Sequence, residues 1–298
     1  MYAGFITPKR ASRRLGVHQR FDHAAYRMIR TYLPAGGFPE IRNILHFEGY
    51  NGPDGIKSKQ GLKYKTVHDH APSHLYDPAT DRGEVPQHIA NHYAGLVDAL
   101  TSGDRVRQAF EAAWLAHYVC DGLTPAHHFP LEEKITEAVE RAQDEMRTGD
   151  VSKLTAAVRK NWAIWGPKGH LSTHIVNFEI GIAIALIFSP IKAEFSEHEL
   201  ARARELGPVE YFKAEARKIA ALNLYERFYQ SGWTNDIASI VKNTLAPLTA
   251  QAIGNIWLLA MLEASQRQVA GRREIPGAST AGAAAAAAPA PVVEAGQA

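Results

Sequence analysis

The feature that most constrains this chain is a histidine and an aspartate four residues apart on a helix that ends at once. His117 and Asp121 lie in A-H-Y-V-C-D-G-L-T-P-A-H-H-F, residues 116–129. A four-residue spacing puts the two side chains one above the other on a single helix face. Gly122 and Pro125 then stop the helix, so the chain swings His127 or His128 back towards the pair. Imidazole and carboxylate groups converging across a helix end suit a borderline divalent cation, zinc first. Histidine is plentiful, 14 in 298 residues. Each remaining segment can be asked whether it brings a further ligand to this point.

Around that point the apolar pattern is helical. A helix opens at His18 and ends at Pro34, with Phe21, Ala25, Met28, Ile29 and Leu33 recurring on one face. A short helix over 43–47 precedes loops at 48–60 and 64–83, both rich in Gly, Pro, Asp and Ser. Helices are then expected at 86–100, 105–120, 131–146 and 151–165, with a turn and cap at 101–104. Residues 171–188 are apolar almost all round, which predicts the central buried helix. Ser196 and Glu199 form a capping box opening a helix to Leu206. Helices at 208–230 and 236–268 complete the set, the last bent or split at Pro247. No convincing run has the two-residue period of a strand, and no repeat recurs at a fixed period. The expectation is an all-α fold, a single multi-helix domain over residues 1–271, followed by a disordered Ala/Pro-rich tail at 272–298.

Composition excludes several classes. The formal net charge of +2 is too small to argue for nucleic acid or an anionic membrane on charge alone. Cys120 is the sole cysteine, so neither an intramolecular disulfide nor a cysteine-rich zinc site can form. The most apolar run, residues 175–190, is too short and too polar for a membrane span, and no transmembrane segment is expected. The first residues are basic but lack the apolar core of a secretory signal. A cytoplasmic protein is therefore expected, or a secreted one if a signal was removed before residue 1.

The motif at 117–127 resembles the H-x3-D-x5-H signature of zinc-dependent phospholipases C and the related single-strand-specific zinc nucleases. S-H-L-Y-D-P, residues 73–78, is similar to a second segment of the phospholipases, and a helix opening at His18 agrees with a third. The resemblance covers residues 15–185 and implies an all-α fold whose cleft holds two or three zinc ions. His74, His117 and Asp121 match ligands of a first metal, and His127 matches a ligand of a second. The family completes that second metal with a His and a carboxylate four residues apart. Here the match is His170 and His174, a histidine replacing the carboxylate, with Glu179 further along. An upstream aspartate that serves as ligand and general base is Asp54, or alternatively Asp69. His18 matches a ligand of the third metal. The family's other ligands there include an N-terminal Trp, whereas this chain has Met1 and a basic arm, so that site is built differently or missing. His23, His68 and His70 are candidates to replace those ligands.

The resemblance implies phosphodiester hydrolysis, with metal-bound hydroxide attacking a phospholipid and Asp54 orienting or deprotonating the water. Two alternatives are a single-strand nuclease or nucleotidase with the same metals, and a helical metal-binding protein without hydrolytic activity. A phospholipid substrate implies contact with a membrane surface, and a nuclease needs single-stranded nucleic acid. Asp22, Asp77 and Glu179 are candidate acceptors for the second nitrogen of the ligand imidazoles. Lys57, Lys59, Lys63, Lys65 and Lys168 would draw a phosphorylated substrate, or else line a solvated loop. His88 and His92 read as packing or surface residues, His128 as a residue that supports a ligand or sits at the rim, and Trp162 and Trp165 as core or as an aromatic wall for a lipid or base.

Overall fold

The computed structural model describes residues 16–34, 36–55, 74–128, 175 and 177–273, and these are all-helical apart from one short hairpin. Helix α1 runs over Val17–Ile29 and α2 over Ile41–Ile44. Short 3-10 turns, Leu45–Phe47 and Gly49–Asn51, follow. Tyr76–Asp77 (β1) and Arg82–Gly83 (β2) pair antiparallel, with Tyr76 opposite Gly83. Helices α3, Val85–Ser102, and α4, Arg105–Gly122, form an antiparallel pair. Gly103 ends α3 in the left-handed conformation, and the Asp104 carboxylate then caps α4 by accepting from the Val106 and Arg107 amides. Beyond the 3-10 turn Pro125–His128 come α5, Asn177–Ile187, and α6, Glu197–Ala220. Helices α7, Leu224–Ser231, α8, Asn235–Ile240, and α9, Ala246–Arg273, complete the described chain.

Several boundaries differ from the sequence reading for identifiable reasons. The break expected between Leu206 and Pro208 is a kink inside α6, where Gly207 takes φ +76 before the proline. The single helix expected over 208–230 is two, because Asn223 turns left-handed between α6 and α7. The interruption expected at Pro247 lies just ahead of it, between α8 and α9. A π-helical turn at Val241–Leu245 widens the backbone just before it, so the missing amide falls in the first turn of α9.

The central helix is α9, and not 171–188 as expected. It packs on α1, α3, α4 and α6. Ile253, Ile256, Trp257, Ala260 and Ala264 are buried along it. By length and composition Asn235–Ala270 could cross a membrane, but 78% of its apolar window is buried inside the protein, as for a core helix. Helix α5 is instead two-faced. Phe178, Ile182 and Leu186 are buried, while Ile180, Ile184, Ile187 and the following Phe188 face outward, Phe188 at 93% exposure. Residues 129–174 and 274–298, including the helices expected at 131–146 and 151–165, Trp162, Trp165 and most of the tail, lie outside the described residues.

Two interactions set the frame that carries the site. Trp257 is fully buried, and its indole N–H donates to the Ala112 carbonyl of α4 at 3.0 Å. The hairpin after His74 is pinned by the Tyr76 hydroxyl donating to Asp81 (2.8 Å) and by Lys213 of α6 donating to the same carboxylate (2.9 Å). Trp257→Ala should cost about 3–5 kcal/mol in urea denaturation, through lost burial and the cavity left behind. Lys213 and the Tyr76 hydroxyl hold the Asp81 carboxyl below its usual range. Its folded pKa thus lies below the unfolded one, so its contribution is full above the unfolded pKa and is lost as pH falls through the folded value. Thermal melts from about pH 7 down to about pH 2 should show a shallower acid loss in Asp81→Asn than in wild type.

Candidate metal centre

Asp121 is the point at which the elements meet. It sits in the last turn of α4, 1% exposed. The next residue, Gly122, allows this turn to press against α6 and the start of α3. A Cβ at Gly122 would lie 2.4 Å from Phe212 and 2.7 Å from Val85. Four imidazoles surround the Asp121 carboxylate. His74 Nδ1 is 2.6 Å from Oδ2, His117 Nε2 is 3.2 Å from the same oxygen, His18 Nε2 is 3.3 Å from Oδ1, and His127 Nδ1 is 3.7 Å from Oδ1. The His18 ring stacks on His117 with centroids 4.1 Å apart. Sequence-separated segments, the start of α1, the residue before the hairpin, the end of α4 and the following 3-10 turn, each deliver one histidine.

Carboxylates lie around this shell. Asp54 Oδ1 is 3.8 Å from His117 Nε2, and its side chain, at 22% exposure, is the most open of the group. Glu179 on α5 meets His127 Nε2 at 2.9 Å. Glu48, read from sequence as part of a solvated loop, is buried, with Oε2 3.4 Å from His117 Nδ1. Asp22, one turn beyond His18, is also buried. Burial and the neighbouring Glu48 charge push the Asp22 carboxyl well above its usual range, against the opposing effect of His117.

Glu48 and Asp54 reach opposite ends of one ring because of the loop between them, E-G-Y-N-G-P-D. Gly49 takes φ +60, and a Cβ at Gly52 would be 3.1 Å from the Phe47 carbonyl oxygen and the Gly49 nitrogen. Only glycine fits both demands without strain. The sequence did carry this signal, since paired glycines in a short loop imply a close approach.

The electrostatics call for positive charge. Burial works against a charged His117, but Asp121, Glu48 and Asp54 outweigh it and hold the imidazole well above its usual range. Burial also opposes the Asp121 charge, and the surrounding positive charge, to which His117, His127 and His18 contribute, holds its carboxyl well below its usual range. His18 and His74 are shifted down, chiefly by burial, towards the neutral form that can ligate. Buried atoms support the same conclusion. His117 Nε2, His127 Nδ1, Glu48 Oε1 and Asp22 Oδ2 have no hydrogen-bond partner among the described residues. Such orphaned atoms are costly unless a ligand or ion satisfies them. Ligand atoms of Asp54, His74, His117 and Asp121 lie within 4.8 Å of one another, and so do those of His18, Glu48 and His117. Mixed nitrogen and oxygen donors at these separations fit zinc.

Of the sequence-derived ligands, His18, Asp54, His74, His117, Asp121 and His127 are thus brought together. His170 and His174 lie outside the described residues, as do Asp69, His68, His70, Lys57, Lys59, Lys63, Lys65 and Lys168. Some expectations need correction. His23 is exposed on the outer face of α1 and cannot replace a third-metal ligand. Asp77 does not face an imidazole of the cluster. It caps its own turn, accepting from the Ala79 amide and the Thr80 hydroxyl. His128 bonds the Gly122 carbonyl through Nε2 at 2.7 Å, and burial takes its imidazole down to about 4. His88 stacks on Tyr118, and His92 pairs with Glu111 at 2.8 Å, both as packing residues.

No family model and no curated protein matches the chain. Among solved structures it is similar to an alpha toxin from Clostridium absonum, with a TM-score of 0.52 and 13% identity over 84% of this chain. The similarity spans 64% of the toxin's length, and at this identity it establishes a shared helical fold alone.

Because Asp121 faces every histidine of the cluster, Asp121→Asn should lower bound zinc by more than one equivalent. His88→Ala, outside the cluster, should leave the content unchanged. Elemental analysis of the two purified variants beside wild type checks both.

Proposed function

We propose that the protein is a zinc-dependent phosphodiester hydrolase of the phospholipase C kind. The observation that carries this reading is the buried Asp121 carboxylate ringed by His18, His74, His117 and His127, with Asp54 and Glu179 at its margin. The motif resemblance and the fold shared with the clostridial toxin point the same way. His74, His117, Asp121 and Asp54 would hold one ion, and His127 with Glu179 would contribute to another. When bound, zinc supplies charge neutralisation for the phosphoryl oxygens and acidifies a water to near-neutral pKa.

The chain's own groups have distinct tasks. Asp54 is the most open carboxylate of the cluster, so it can reach a water on the substrate side and take its proton. Asp121 and Glu179 stay ionised and hold the imidazoles in place. Water then adds to phosphorus, the bond to the glycerol oxygen breaks, and that oxygen leaves with a proton as an alcohol. The products are a diacylglycerol and a phosphomonoester. The outward apolar ridge of Ile180, Ile184, Ile187 and Phe188 lies on the helix that carries Glu179, where acyl chains at a membrane surface would meet it.

A second reading, a single-strand nuclease or nucleotidase, is favoured by a different rim. Phe110, Trp114 and Tyr118 follow one another at four-residue spacing on α4. Tyr118 packs against the rings of both His74 and His117. Tyr118 is buried beneath His88 and His92, so Phe110 and Trp114, both half-buried, are the rings of this stripe that a base could stack on, at about 1–3 kcal/mol per base. Zinc-loaded protein should hydrolyse phosphatidylcholine vesicles and leave single-stranded DNA intact. Asp54→Asn should reduce that turnover by about 10²–10⁴-fold. Cleavage of DNA alone favours the second reading. Full zinc content with no turnover on either substrate sinks both and leaves a non-catalytic metal-binding protein.

A further inference from the structure

His117 is held at both ring nitrogens by carboxylates from one loop, and the two ends are not equivalent. Nδ1 faces Glu48 Oε2 at 3.4 Å. Nε2 faces Asp121 at 3.2 Å and Asp54 at 3.8 Å, but makes no hydrogen bond to either. A neutral imidazole carries one N–H and one lone pair, in opposite directions. Glu48 Oε2 already accepts from the Gly49 amide and faces Nδ1 as an acceptor, so a lone pair on Nδ1 would point at an oxygen lone pair with nothing between them. The N–H therefore belongs on Nδ1, and the lone pair on Nε2, towards Asp54, His74 and Asp121. The ring is fixed on its other sides as well. His18 covers a face at 4.1 Å, while His74 and Tyr118 meet it edge-on at 5.5 and 5.8 Å.

Glu48 is itself tied in place. Its Oε2 accepts from the Gly49 amide at 3.3 Å, and it caps the 3-10 turn that begins there. Its position is thus set by the loop backbone before any cation arrives. We propose that Glu48 is a positioning residue of the metal centre: it fixes the Nδ1–H tautomer and the orientation of His117, so that Nε2 is presented to the cation. This rests on the reading of the cluster as a zinc site. It assigns to a carboxylate outside the recognised motifs the role of completing a carboxylate–histidine–metal relay.

The alternative is that Glu48 is itself a ligand, grouped with His18 and His117. The two roles separate in a zinc titration of the full-length protein against a chromophoric chelator, with stoichiometry by elemental analysis. Glu48→Ala removes the acceptor, and should keep the wild-type zinc stoichiometry while weakening the affinity at the His117 site about 10–100-fold. Glu48→Gln keeps a neutral acceptor oxygen and should fall between wild type and Glu48→Ala, which also guards against a folding defect in the latter. The visible absorption of cobalt(II)-substituted protein should change in Glu48→Ala, because the geometry of a ligand has changed, with circular dichroism unaltered. Loss of a whole equivalent with the remaining affinity intact would make Glu48 a ligand and overturn the proposal. So would wild-type affinity and spectrum in both variants. If the wild-type protein binds no zinc, the zinc reading and the role of Glu48 fall together. Bound zinc with an unaffected Glu48→Ala removes the role of Glu48 alone.

Discussion

The fold is arranged around the difficulty of keeping one carboxylate charged in a dry interior. A lone buried carboxylate is costly enough that it would ordinarily take up a proton. Asp121 avoids this because four histidines from separate parts of the chain meet it within 3.7 Å. That arrangement is demanding. It requires α1 to start, α4 to end, the hairpin to be anchored and the 3-10 turn to fold back, all at one place. Packing remote from the chemistry does this work. Trp257 ties α9 to α4, Gly122 allows α4 to touch α6, and Lys213 with Tyr76 holds the hairpin beside His74.

The charge balance of the cluster suits a divalent cation. Imidazoles alone could neutralise Asp121 by taking protons, and His117 is biased in that direction. But burial pushes His18 and His74 towards neutrality and the Asp22 carboxyl up, while Glu179 beside His127 is held below its usual range. A divalent ion suits such a mixture, because it takes the lone pairs of neutral imidazoles and the charge of ionised carboxylates together. The orphaned His117 and His127 nitrogens are the structural trace of this demand.

Legibility in the sequence followed the range of the interaction. The pairing of His117 with Asp121 is local, set by one helix turn, and so could be read directly. His127 followed from a Gly and a Pro that force a reversal. His74 and His18 needed the motif resemblance, since nothing local tells a chain which distant histidines will meet. Glu48 escaped because a glutamate among Gly, Asn and Pro looks like a solvated loop, and only the loop's closure over His117 buries it. The central helix was misplaced for the converse reason. An apolar stretch at 175–188 looks more buried than α9, whose Asn255, Thr249 and Gln251 dilute the pattern. Yet Asn255 and Thr249 are wholly buried, the Asn255 amide nitrogen donating to the Tyr211 hydroxyl and the Thr249 hydroxyl to the Leu245 carbonyl. Apolar composition measures what a helix could bury, whereas topology decides what it does.

The places where the chain departs from ordinary local rules are informative by their distribution. Gly49 is left-handed, a Cβ at Gly52 would be tight against the loop backbone, and Gly122 sits where a methyl group would collide. Glu48 and Asp22 are buried acids with unbonded oxygens, and His117 Nε2 and His127 Nδ1 lie beside Asp121 without a hydrogen bond. Each such feature costs free energy that packing must offset. Several of them meet at His117 and Asp121, and others lie elsewhere: Trp114 Nε1 and Asn255 Oδ1 have no hydrogen-bond partner among the described residues, and Gly83, Gly181 and Gly254 are as crowded as Gly122. Elsewhere, helix caps at Asp104, Ser196 and Thr234 and the buried face of α9 are locally consistent. What sets the cluster apart is that its unbonded atoms belong to ionisable groups that face one another, the kind of atoms a bound ion would satisfy together.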